Sequence, residues 1–233
     1  MNINKHITET FVSLRVGMAL IAFSLPILLI LVSKYSEAVC FKESISAFYY
    51  TPMRNLFVGS LCAVGSFLYL YKGFNENENR ALNFAGIFAV CVAFLPTKPP
   101  GVDCRPSSEN MDAAFSKVCI TAWMHGISAV LFFLFVAYVC VYCGKYTVEL
   151  IENKKVGRRY IVLYKVIGAL MVLLPLISVF YIFLVGEGDY WLFVLEFAAI
   201  VVFSVFWLAK AMELNYHDIR LEEQIIKGDK NIK

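Results

Sequence analysis

The sequence predicts an all-α fold, a polytopic membrane protein with six transmembrane helices in one bundle. Three observations lead there. Of its 233 residues 60% are hydrophobic and only 17% are charged, whereas soluble domains sit near half apolar and a quarter charged. The apolar residues come in blocks of about 20, the length a helix needs to cross a hydrocarbon layer. The blocks are also continuous, without the alternation of a barrel strand.

The predicted spans are Phe11–Val32, Met53–Tyr71, Ala81–Leu95, Val118–Tyr142, Tyr160–Val185 and Tyr190–Ala211. The first is too long for a cleavable signal, and no small-x-small site follows Val32. Pro26 and Pro175 predict kinks in the first and fifth spans, where neighbouring helices can satisfy the freed backbone groups. Thr51-Pro52 reads as the start of the second helix, with Pro in its first turn. The third span is short and stops at Pro96 and the Lys-Pro-Pro-Gly that closes behind it. Cys140 and Cys143 end the fourth span at C-x-x-C spacing; with no second half to that motif, they read as packing residues. Gly186-Glu-Gly-Asp189 joins the last two spans as a hairpin. Residues 1–212 thus form one transmembrane domain, and residues 213–233 a mixed-charge cytoplasmic tail.

Orientation follows from charge. Fifteen of the 21 Lys and Arg residues fall on the side of the two termini, against six on the other. The positive-inside rule places both termini in the cytoplasm of an inner or plasma membrane. Lys154, Lys155, Arg158 and Arg159 form the densest basic cluster, in the fourth loop, and suggest contact with anionic lipid or a protein partner. On the opposite side Cys40 and Cys104 are candidates for a disulfide, with Cys119 as a competing partner.

Helices in lipid associate through small residues that allow close approach. Ala81, Ala85, Ala89 and Ala93 form such a stripe in the third span. Gly59 and Ala63 do so in the second, and Ser13 and Gly17 in the first. They mark faces inside one bundle or an interface between subunits.

Ionisable residues at depth are costly and point to function. His125 and Glu196 each lie about 10 Å below the outer boundary at 1.5 Å per residue, and Arg54 and Asn55 open the second span on that side. Arg15 and Lys165 are nearer their helix ends and are expected to snorkel to the interface. The peptide "ESISAFYYTPMRN", Glu43 to Asn55, is too polar to span and rich in aromatics that favour the headgroup level. It reads as an interfacial or partly re-entrant element capping the bundle. Ser44, Ser46, Tyr49, Arg54, Asn55, His125 and Glu196 are the predicted ligand-binding set. A catalytic arrangement of the same groups would use His125 as base, Glu196 to orient it and Ser46 as nucleophile or water-positioner. The alternative is a polar pair of His125 and Glu196 that fixes helix register.

The chain has three His, and His6 and His217 lie in the termini, so an intramembrane metal site built on several His is not available. No metal and no cofactor is expected. Nucleic-acid binding has no support beyond one basic loop.

"SISA" before the second span, a short polar loop running into "NRALNFAG", a third span ending near Pro, and a His early in the fourth span resemble the Frag/DRAM/Sfk group of six-span proteins and related bacterial families of unknown function. The resemblance covers roughly Glu43 to Tyr138. It implies that Ser44, Ser46, Asn83, Gly86 and His125 are pattern positions, and that the role is lipid-linked. The loop "TKPPGVDCRPSSENMD" and the Cys-rich fourth span lie outside that pattern.

The leading expectation is an outward-facing polar pocket that recognises a lipid headgroup or another amphipathic ligand, with binding favoured over catalysis. The second is a homo-oligomeric channel or pore-type effector that answers a cytoplasmic protein partner through the fourth loop and tail. The third is an intramembrane hydrolase.

Overall fold

The computed structural model describes residues 3–35, 40–99, 113–149, 151, 153–184 and 190–230. Helix α1 is Ile3–Tyr35, and a 3-10 turn, Ser46–Tyr50, precedes α2, Arg54–Leu70. Then follow α3 (Glu76–Phe94), α4 (Ala113–Tyr138), a π turn (Val139–Cys143), α5 (Gly144–Val148), α6 (Lys154–Leu184) and α7 (Trp191–Lys230). The described residues hold no strand. Helix α7 runs on past Ala211 into the predicted tail. The predicted hairpin turn at residues 186–189 and the loop at 100–112 lie outside the described residues.

Among the described residues, four segments are long and apolar enough to cross a membrane: Thr8–Tyr35, Ser116–Val148, Lys154–Leu184 and Trp191–Leu214. Helix α2 is apolar but shorter, about 26 Å at the ordinary rise. Helix α3 begins with Glu76, Asn77, Glu78, Asn79 and Arg80, which leaves its second half as the apolar part.

The helices pack as a closed ring, α1 on α2, α2 on α3, α3 on α4, α4 on α6, α6 on α7 and α7 back on α1. Neighbours run antiparallel. Leu95 meets His125 and Ile45 meets Glu196 at one end. Arg15 meets Tyr71 and Lys210, and Tyr164 meets Glu213, at the other. Among the described residues, Tyr164, Phe203, Phe206 and Trp207 belong to the core inside the ring and are each about fully buried. The outer side chains of α6, among them Leu173, Ile177, Phe180 and Phe183, are large, apolar and exposed, as a lipid-facing surface requires.

Local chemistry explains the element ends. Asn75 caps α3 by accepting from the Glu78 amide at 2.9 Å, and the Glu78 carboxylate reaches back to the Phe74 amide at 2.9 Å, a reciprocal cap. Helix α3 ends at Phe94 because Pro96 disfavours helical backbone at Leu95. Helices α1 and α6 run through Pro26 and Pro175. The start of α2 differs from the predicted Thr51-Pro52 boundary. Thr51 and Pro52 belong to the turn before it, where Thr51 Oγ1 donates to the Phe48 carbonyl at 2.7 Å and accepts from the Met53 amide at 3.1 Å.

The alanine stripe of the third span is buried as predicted, Ala81, Ala85, Ala89 and Ala93 all lying inside the ring. In the second span the close contact falls elsewhere. A Cβ on Gly65 would sit 2.8 Å from the Gly86 carbonyl oxygen, whereas one on Gly59 would meet nothing. Gly17 likewise faces open space. Two glycines set the α2–α3 distance, and a backbone oxygen has no way to yield to a larger residue.

Candidate functional site

Two prolines build the base of the site. In a continuing helix the Val92 and Leu95 carbonyls would take the amides of residues 96 and 99, and both are Pro. The His125 ring, on α4, supplies what is missing. Its Nδ1 lies 2.7 Å from the Leu95 oxygen, and the Val92 carbonyl lies near the same ring. A carbonyl oxygen only accepts, so Nδ1 carries the proton. The other nitrogen, Nε2, is then an acceptor, and Ser46 Oγ donates to it at 3.0 Å.

The 3-10 turn that carries Ser46 is fixed by its own amides. Glu196 Oε2, from α7, accepts from the Ile45 amide at 2.6 Å and from the Ser46 amide at 3.4 Å. Ser44 Oγ accepts from the Ala47 amide at 3.0 Å. The Phe193 amide donates to the Glu43 carbonyl at 2.9 Å. Beneath the turn, Ile45 and Phe48 are buried with Leu25, Leu29, Phe57, Val92 and Phe193, and Phe41 packs edge-on against Phe48 and Tyr190.

At the rim, the Arg54 guanidinium lies 4.1 Å from the Tyr49 ring centroid and hydrogen-bonds the Tyr49 hydroxyl. Arg54 is exposed and has no carboxylate partner among the described residues. Tyr50 donates to the Thr97 carbonyl at 2.6 Å. Burial raises the Tyr50 phenol above its ordinary value, so it stays a donor. Asn55 is exposed beside Arg54.

The predicted set therefore divides. Ser46 and His125 meet. Ser44 and Glu196 hold the backbone under Ser46, and Tyr49, Arg54 and Asn55 stand at the rim. Glu196 does not orient the imidazole, because the Leu95 carbonyl occupies Nδ1 and Ser46 occupies Nε2. The disulfide expectation is corrected. Cys40 is a free, exposed thiol, so it is not bonded to Cys104. Cys119 is disulfide-bonded, and its partner, like Cys104 itself, lies outside the described residues. Cys140 and Cys143 are buried free thiols in the π turn, and Cys140 Sγ donates to the Tyr164 carbonyl at 3.2 Å.

A second polar cluster, which the sequence reading missed, is buried at the opposite end. Arg15 does not snorkel. It is 8% exposed, donates to the Tyr71 hydroxyl through Nε at 2.9 Å and also through Nη2, and donates to the Lys210 carbonyl through Nη1 at 2.5 Å. Lys210 Nζ lies 3.2 Å from Glu213 and donates to Thr147 Oγ1 at 2.5 Å. Tyr164 donates to Glu213, and Glu78 is close enough to interact with Lys210, Arg15 and Glu213. Two cations and two carboxylates thus balance inside the ring. Lys210 lay within the last predicted span, and a lysine there with a glutamate three residues on was the available signal.

Lys155, Arg158 and Arg159 line one shallow groove on α6 with Val162, Leu163 and Val166, while Lys154 is exposed beside it.

No family model, curated protein or solved structure matches this chain. Ser44, Ser46, Asn83, Gly86 and His125 each make a contact that helps to shape the fold. Gly86 permits the α2–α3 contact, and Asn83, once its amide oxygen and nitrogen are exchanged, donates to the Tyr69 carbonyl in the last turn of α2 at 2.9 Å. Ser44 caps the turn, and Ser46 pairs with His125.

Proposed function

We propose that the chain crosses an inner or plasma membrane six times with both termini in the cytoplasm, and that its outward end recognises the headgroup of a lipid or similar amphipathic ligand. The observation that carries the reading is Arg54. It is an exposed cation stacked on Tyr49, without a carboxylate partner among the described residues, on the rim of the turn that Ser46, His125 and Glu196 hold rigid. Such a cation favours an anionic group, and an aromatic rim suits the headgroup level. The antiparallel order of six packed helices, four of them long and apolar enough to cross a membrane, and the Lys/Arg asymmetry support the span count and orientation. The resemblance to the Frag/DRAM/Sfk group points to a lipid-linked role as well.

The test is lipid retention by purified protein, read by mass spectrometry. Arg54→Gln is expected to reduce co-purifying ligand several-fold while leaving the fold intact. Undiminished retention would count against the site.

The 3.0 Å contact between Ser46 and His125 favours a second reading, a serine hydrolase. Acyl transfer also needs free donors aimed at the developing oxyanion. The nearest amides are engaged, Ile45 and Ser46 by Glu196 and Ala47 by Ser44. Binding is therefore the better-supported reading, and a fluorophosphonate probe is expected not to label Ser46. In the channel reading, the filled centre of the ring would require the conducting path to run between copies of the chain, and the mass of the particle in nanodiscs tests it.

A further inference from the structure

We propose that the N-terminal face of α6 is a binding site for an anionic phospholipid of the leaflet it borders. Lys155, Arg158, Arg159, Val162, Leu163 and Val166 line one groove. Their spacing follows one face of a helix. From first to last they span about 16 Å along the axis, the reach from a phosphate to the upper acyl chain. The basic half comes first and the apolar half second, which is the order of headgroup and tail in a lipid.

Lys155, Arg158 and Arg159 are exposed. Among the described residues, no carboxylate pairs with the three cations. The first turn of α6 holds no acidic residue. Arg80 differs, being paired with Glu76 at 3.1 Å, and so does the internally balanced Lys210. Two adjacent guanidinium forks match phosphate oxygens in geometry as well as in charge. The apolar half decides between occupants. Val162 and Val166 are 56% and 52% exposed on a helix apolar enough to cross a membrane. A soluble acidic partner would match the basic half and leave these side chains uncovered, whereas a lipid matches both halves.

The inference rests on the chain's being a membrane protein and not on the reading of the outward site. The experiment uses the full chain in mixed phosphatidylglycerol and phosphatidylcholine, with the ratio of the two retained lipids read by native mass spectrometry. Lys155→Gln/Arg158→Gln/Arg159→Gln is expected to lower the preference for phosphatidylglycerol by at least about tenfold. Arg158→Lys/Arg159→Lys, which keeps the charge, is expected to preserve most of it. Arg80→Gln, at an exposed cation outside the groove that is already paired with Glu76, is expected to leave it unchanged, which separates this site from a general loss of surface charge. Single Gln variants, each with a smaller drop, serve if the triple variant inserts poorly. An unchanged ratio in the Gln variants overturns the site. Displacement of phosphatidylglycerol by excess inorganic phosphate overturns the lipid as occupant, since the tail would then contribute nothing.

Discussion

The two ends of the ring bury polar groups by opposite means. At the Ser46–His125 end the buried groups are held mostly as neutral donors and acceptors, and the Glu196 carboxylate is spent on the amides of a turn. That end is built on a loop and on a helix terminus. At the other end four ionisable side chains from three helices gather, with Arg15 at 8%, Glu78 at 3%, Lys210 at 2% and Glu213 at 3% exposure. The contrast teaches where the molecule can change. A hydrogen-bonded turn with an exposed rim can admit a ligand. A balanced set of buried charges tolerates little, because removing one partner strands another in a low-dielectric interior.

Breaking the charged end gives the largest effect. Glu213→Gln leaves Lys210 without its nearest counter-charge and is expected to cost about 3–5 kcal/mol, seen as a large fall in the unfolding temperature in detergent. The double variant Lys210→Met/Glu213→Leu removes both charges and is expected to recover most of that loss. A double variant no better than the single one would show that the pair does more than neutralise itself.

Next comes the contact that unites the two ends, the α2–α3 crossing. Gly86→Val would place a side chain against the Gly65 oxygen, 2.6 Å from where a Cβ would start. It is expected to cost about 1–3 kcal/mol, whereas Gly59→Val, which faces open space, is expected to be near neutral in the same assay. Equal effects would mean that this crossing is not tight.

The Ser46–His125 end holds the mildest single change. His125→Ala leaves the Leu95 carbonyl and the Ser46 hydroxyl without their partner and is expected to cost about 1–3 kcal/mol. Ser46→Ala loses one hydrogen bond, about 0.5–1.5 kcal/mol. If Ser46→Ala proved the more damaging of the two, the imidazole would not be anchored by the end of α3.

Much of this was legible in the residues. The apolar blocks, the alanine stripe of α3 and the stop at Pro96 each act locally, and the helices follow them closely. His125 and Ser46 were selected because ionisable and hydroxyl groups near a membrane interior are expensive to leave idle. Their partners were not legible. Glu196 was read as the group that orients His125, and the Leu95 carbonyl takes that part, because proline at residue 99 frees a backbone oxygen that no side-chain inventory counts. Arg15 was read as snorkelling, and its true partner Tyr71 is 56 residues away.

By itself, the sequence determined that this chain is helical, which of its segments are apolar enough for lipid, and where helices must stop, since hydropathy and backbone sterics are properties of neighbours along the chain. Only the tertiary structure decided that the ring closes with α7 against α1, which glycines touch, and that two cations and two carboxylates neutralise one another inside it. Those outcomes depend on distances between residues far apart in sequence, and a buried charge is tolerable only when its partner is in place.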